Sequence, residues 1–179
     1  RADWERGLDR YTVIGNVTQG RLDQPAPGEI ATPGGPSRFG RVRSDGANLS
    51  ARWQRQLEDG ANVALQAYVD HTVREAPPLF TERLTTLDAQ FQHTLATSGS
   101  HDIVWGANLR YARDRVGNSP YVAFLPARTA QRWGSLFVQD EIALREAWSL
   151  TLGARAEYNH YTGTEFLPSA RLSWRLSPQ

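Results

Sequence analysis

The sequence predicts an all-β protein: a section of a transmembrane, antiparallel, up-and-down β-barrel. Three observations predict it. Apolar and polar residues alternate through segments of about ten to fourteen residues, as strands do when one face meets lipid and the other water. The connections alternate in length, with a tight one after every second strand. Charged and amide side chains also recur mid-strand on the polar face, where a wet interior tolerates them and a dry core does not.

Each predicted strand carries the pattern. In the first, about Leu8 to Gln19, Tyr11, Val13, Gly15 and Val17 share one face, with Ile14 an intruder on the other. A long connection over residues 20–44 follows; its prolines and glycines exclude a central strand. In the second, Ala47 to Gln56, Ala47, Leu49, Ala51 and Trp53 alternate with polar residues, and Glu58-Asp59-Gly60 makes a short turn. The third, Asn62 to Arg74, sets Val63, Leu65, Ala67 and Val69 against Ala64, Gln66, Tyr68 and Asp70, and ends at a middling connection over 75–82 containing Pro77-Pro78.

The fourth, Arg83 to Leu95, opposes Leu87, Ala89 and Phe91 to Asp88, Gln90 and Gln92, then turns at Ser98-Gly99-Ser100. The fifth, His101 to Asp114, is the clearest, with Ile103, Trp105, Ala107, Leu109 and Tyr111 on one face; a long connection over 115–131 follows. The sixth, Trp133 to Leu144, carries Leu136, Val138, Ile142 and Leu144, with Asp140 intruding. Arg145-Glu146-Ala147 turns into the seventh, Trp148 to Tyr161, and Thr162-Gly163-Thr164 into the eighth, Phe166 to Leu176. Trp133, Trp148, Tyr158 and Tyr161 near strand ends suit an interfacial girdle. Short turns then face the periplasm, and the connections over 20–44, 75–82, 115–131 and 162–165 face outward.

Composition narrows the function classes. The chain has 179 residues, 20 basic and 19 acidic, with a net charge of +1 and no basic block, so a nucleic-acid footprint is unsupported. Every basic residue is Arg; a GC-rich genome explains this as readily as selection for phosphate binding. There is no Cys, hence no disulfide framework or thiolate metal site. No apolar run approaches the roughly 20 residues of a membrane helix. Asp140 and Glu141 are strand neighbours that point to opposite faces, so they cannot converge as an acid–base pair. No nucleophile, zinc or nucleotide motif occurs in a supporting context, so the chain reads as no enzyme. His93 and His101 flank one turn without a further ligand, so no metal site is expected.

Several stretches resemble TonB-dependent outer-membrane receptors, the siderophore-type members particularly. They are Leu136-Phe137-Val138-Gln139-Asp140-Glu141-Ile142, Ser149 through Arg155, Glu157-Tyr158-Asn159, Tyr161-Thr162-Gly163, and Pro168 through Leu172. Leu87 through His93 with His101 through Gly106 is similar to an adjacent hairpin of that barrel. The resemblance covers most of residues 47–176. It implies a barrel of about 22 strands with a plugged lumen. It further implies energised import of a scarce ligand, an iron–siderophore, driven through the periplasmic TonB energy-coupling protein, with no cofactor. Outer-membrane lipid and lipopolysaccharide would surround such a barrel in the bacterial outer membrane.

Residues 1–179 show about eight strands, no plug domain and no energy-coupling box, and begin at Arg1 without a signal peptide, so they read as a middle section of a longer chain. A small closed eight-stranded barrel with an adhesive role and a soluble β-sandwich are the alternatives. Ligand capture is expected at Arg38, Arg41 and Arg43 in the first long connection and at Tyr121, Phe124 and Arg128 in the third. Arginine with aromatics suits an anionic aromatic chelate; the same residues also suit ordinary loop surface or lipopolysaccharide phosphates. Arg155, Glu157, Asn159 and Arg171 are expected to face the lumen and to pair across strands or against a plug, and Glu141 to pair with a neighbouring strand's Arg.

Overall fold

The computed structural model describes residues 1–24 and 39–176. These form nine strands: β1 Ala2–Arg6, β2 Asp9–Leu22, β3 Val42–Gln56, β4 Asn62–Ala76, β5 Phe80–Thr94, β6 His101–Gly117, β7 Arg128–Arg145, β8 Trp148–Asn159 and β9 Gly163–Trp174. All pair antiparallel in chain order as one meandering sheet, with β1 and β9 at its edges. A single sheet of consecutive hairpins is not a two-sheet sandwich, and nine strands in an open row are not a closed eight-stranded barrel.

Register explains which side chains share a face, because directly paired residues project together and alternate residues oppose. One row runs Trp4, Tyr11, Trp53, Leu65, Phe91, Ala107, Leu136, Ala156, Phe166 across all nine strands. The next parallel row on that face is Ala2, Val13, Ala51, Ala67, Ala89, Leu109, Gly134, Tyr158, Thr164. The opposite face carries rows such as Asn16, Asn48, Asp70, Thr86, Ala112, Gln131.

The polar face is the crowded one. Asp88 and Ser135 are buried there, whereas Leu109 and Leu136 on the apolar face are 67% and 61% exposed. The glycines say the same. A Cβ on Gly106, on the polar face, would sit 2.7 Å from the Phe137 ring; one on Gly15, on the apolar face, meets nothing closer than Leu49 at 3.7 Å. Converging polar and diverging apolar side chains give a sheet curved toward its polar side, as in a barrel wall with a wet lumen.

Aromatic pairs fall near the short-turn edge of the apolar face. Trp4 stacks on Tyr11 at 5.3 Å, Phe91 leans on Trp105 at 5.2 Å, and Trp148 stacks on Trp174 at 5.1 Å. Amphipathic rings in such a row suit the level where hydrocarbon gives way to headgroups.

The structure corrects the expected elements in four ways. β1 was not expected: five residues with charges at Asp3, Glu5 and Arg6 are too few to show alternation, yet a tight turn with Gly7 at φ +62° folds them onto β2. The strands also run further toward the long connections than their apolar pattern does. Gly20, Arg21 and Leu22 pair with Ser44, Arg43 and Val42, and the connections shrink to residues 23–41, 77–79, 118–127 and 160–162. Beyond a lipid layer both faces of a strand can be polar, so the ladder outlasts the alternation. Trp133 is no girdle residue: it pairs with Arg110 and Asn159 on the polar face. Tyr161 lies in a tight turn and hydrogen-bonds to the polar-face Gln131.

Candidate functional site

The curvature gathers polar-face side chains from β3 to β8 around a concavity of about 440 Å³. Arg52, Gln66, Gln90, Asn108, Arg110 and Arg155 line it. Their charges are largely matched. Arg110 donates from Nε to Asp88 at 2.9 Å, and Asn108 donates to both Asp88 carboxylate oxygens at 3.2 Å. Asp88 is only 7% exposed, so these bonds replace the water it has lost. Arg155 reaches Glu157 at 3.2 Å and donates to Ser135 Oγ at 3.3 Å. Among the described residues Arg52 has only a long bond to Gln66, 3.5 Å, leaving most of its donors available.

Of the residues expected to face a lumen, Arg155, Glu157 and Asn159 share the polar face of β8, and Arg171 lies on the same face of β9 opposite Thr151. Glu141 is on that face too, opposite Asp102 and Thr151, but makes no ion pair among the described residues. Its cross-strand neighbours offer no arginine, which corrects the expected lumen salt bridge. Asp140, on the apolar face, is matched by His101 Nδ1 at 2.7 Å, while His93 accepts from Trp105 Nε1 at 3.2 Å. The two histidines therefore serve different neighbours.

At the long-connection end the described loops converge. Gln24 donates to the carbonyls of Gly40 at 2.9 Å and Pro77 at 3.2 Å, and Gly40 N–H donates to Pro77 at 3.0 Å. Phe124 meets Phe80 edge-on at 5.5 Å, and the Arg74 guanidinium lies 5.7 Å over the Phe80 ring. An aromatic cluster with a cation thus sits at the mouth of the polar face. Sequence reasoning found Phe124 but missed Arg74 and Phe80; that Pro77 meets the first long connection and Phe80 the third becomes visible only in the structure.

The described members of the six residues expected to capture ligand are spread over two connections and two strands. Arg38 lies outside the described residues. Arg41 lies in the first connection and donates to Asp23 at 2.6 Å; that bond and the carboxylate's charge raise the guanidinium pKa above its ordinary value. Arg43 belongs to β3, on the apolar side's rim, bonded to Asp45 at 2.6 Å. Tyr121 and Phe124 lie in the connection over 118–127, braced by Asn118, which accepts from Phe124 N–H at 2.9 Å and donates to its carbonyl at 3.2 Å. Arg128 opens β7 and also projects from the apolar side's rim, opposite Arg115.

A curved meander with one greasy and one wet face, tight turns at one edge and elaborated connections at the other has the form of a section of an up-and-down β-barrel wall. The comparisons give the family. A model of the TonB dependent receptor-like β-barrel matches residues 2–179, and the chain belongs to that family. The crystal structure of the siderophore receptor PirA from Pseudomonas aeruginosa matches with a TM-score of 0.72 at 14% identity, over 98% of this chain and 29% of that one. The chain therefore spans under a third of that receptor's length, and it corresponds to a partial section of the barrel. A search of the curated proteins finds no match.

Proposed function

We propose that this sheet is part of the wall of a TonB-dependent receptor that imports an anionic ferric chelate across the bacterial outer membrane. One observation carries the reading: the same nine strands present a continuous apolar convex face and a concave face of arginines, amides and carboxylates. Such a wall separates lipid from a polar conduit. The long connections face outward, where Arg74, Phe80 and Phe124 offer a cation and aromatic rings to a negatively charged aromatic ligand. Arg52 carries positive charge further down the conduit, beside Arg110 and Arg155, which Asp88 and Glu157 match. Energy coupling through a periplasmic TonB protein follows from the family and resides in the rest of the receptor. The chemistry required is binding and release; no bond in the ligand is broken.

The test is uptake of radio-iron by iron-starved cells carrying the full receptor, supplied on hydroxamate and catecholate siderophores in turn. Uptake of at least one chelate should depend on the receptor, and Arg74→Ala with Phe124→Ala should lower it about tenfold at unchanged surface abundance. Receptor-independent uptake of every ferric chelate would refute the ligand. Receptor-dependent entry of cobalamin or haem instead would reassign the cargo while retaining transport.

A further inference from the structure

Two carboxylates at the mouth of the polar face are left open. Arg74 on β4 and Glu82 on β5 are direct cross-strand neighbours there, which brings their Cβ atoms about 5 Å apart. They do not pair. The Arg74 guanidinium lies over the Phe80 ring instead, and Glu82 has neither an ion pair nor a side-chain hydrogen bond among the described residues. Asp114 on β6 is the diagonal neighbour of Glu82: Val116 stands opposite Glu82, and Leu84 opposite Asp114. Asp114 also has no partner among the described residues, and its Oδ1 is closed off from water.

Deeper on this face the chain matches such groups itself. Asp88 has Arg110 and Asn108, and Glu157 has Arg155. At the mouth it does not, although Thr129 stands directly opposite Asp114. An acceptor covered without a donor is unfavourable, so a carboxylate oxygen left open in this way marks a place where a donor arrives from outside.

The surroundings identify the chemistry of that donor. A divalent ion fits poorly: it calls for about six oxygens or more, and no three Asp, Glu, His or Cys side chains among the described residues converge to hold a metal. Arg74 beside the pair would also repel it. A protonated amine has three donors, enough to reach both carboxylates at once. One strand away, Arg74 with the Phe80 and Phe124 rings offers the opposite charge and flat apolar surface. The ligand that satisfies the whole mouth is therefore a single molecule with an anionic aromatic part and, roughly 5–8 Å from it, a cationic amine.

We propose that the cargo is a zwitterionic ferric chelate, held by its anionic aromatic part at Arg74, Phe80 and Phe124 and by a protonated amine between Glu82 and Asp114. This rests on the reading of the mouth as a ferric-chelate site. Glu82 and Asp114 are then specificity-determining residues, because a chelate of the same core without the amine leaves both carboxylates unpaired.

The experiment measures dissociation constants for the full receptor in detergent by equilibrium dialysis of radio-iron chelates. The probes are the ferric complexes of a synthetic tris-catecholate and a synthetic trihydroxamate, each carrying one primary amine, and the same two chelates with the amine acetylated. For at least one core the amine form should bind wild type about tenfold more tightly than the acetylated form, the equivalent of one charge-assisted bond. E82Q/D114N should bring the amine form down to the acetylated form's affinity and leave the acetylated form within about twofold. Equal affinities of amine and acetylated forms for wild type, or an amine preference that survives in E82Q/D114N, overturn the zwitterionic ligand alone. No binding of any of the four chelates overturns the ferric-chelate reading together with it. Should the double variant fail to fold, Glu82→Gln alone gives the same discrimination through a smaller loss, and an undiminished amine preference in it overturns the role of Glu82 and with it the proposal.

Discussion

Leu136→Arg tests the two-faced wall most directly. Leu136 sits midway along β7, and the nearest charges on its own face are Arg132 and Asp140, four residues away in either direction. Eight residues at about 3.4 Å, tilted about 40°, rise roughly 21 Å, close to the ~25 Å apolar band of an outer-membrane barrel. Its cross-strand neighbours are Ala107 and Ala156, so no polar partner stands beside it. An arginine at such a midplane position costs about 2–4 kcal/mol; we expect about 3, roughly a 150-fold fall in the folding equilibrium. Gln139→Arg, three residues on and on the polar face opposite Val104 and Gly153, should change stability by less than about 0.5 kcal/mol. The assay is reversible guanidinium unfolding of the full receptor in phospholipid vesicles, followed by tryptophan fluorescence. Equal costs for the two variants, or a Leu136→Arg cost below about 1 kcal/mol, would refute the assignment of faces.

Two further predictions use the same assay. Asp88→Ala removes the partner of Arg110 and of both Asn108 contacts; with Arg110 half-exposed the loss should be about 2 kcal/mol, and Arg110→Met in the same background should add little, because the pair is already broken. Additive effects would show that the two residues are not coupled. Gly106→Ala should cost about 1–3 kcal/mol, since the new methyl meets Phe137 and the Phe91 carbonyl, whereas Gly15→Ala should be neutral or stabilising. A reversed order would place the concave side wrongly.

The legible part of the fold is the part that lipid dictates. Alternation survives wherever one side chain of each pair must be apolar, which is why β3 through β8 and the faces of Arg155, Glu157 and Arg171 could be read from sequence. Alternation ends where water bathes both faces. The pairings of Arg21 with Arg43 and of Arg115 with Arg128 lie there, so both strands ran longer than expected and two supposed loop residues, Arg43 and Arg128, are strand residues. β1 escaped notice for a related reason: Arg6 and Glu5 leave only Ala2 and Trp4 to mark a face. The mouth was illegible because it is built from contacts between connections. Phe80 meets Phe124 across more than forty residues of chain, and nothing local in either segment announces it.

Arginine shows most clearly what register adds to composition. With no lysine in the chain, each cation is chemically identical, so only its surroundings distinguish one task from another. On the concave side Arg110 and Arg155 are neutralised by Asp88 and Glu157, because a narrow polar conduit raises the cost of an unmatched charge. In the central band of the convex side arginine is absent from the rows of Ala107 and Leu109, where hydrocarbon offers no partner. At the convex rim arginines return: Arg43 has Asp45, whereas Arg83, Arg113, Arg115, Arg128 and Arg132 have no side-chain partner among the described residues. A variant that moved Asp88 to the position of Thr85 would carry a partner to Arg113 and strip one from Arg110; it should lower stability by about 2 kcal/mol, because the partner is lost on the buried side and gained on the exposed one.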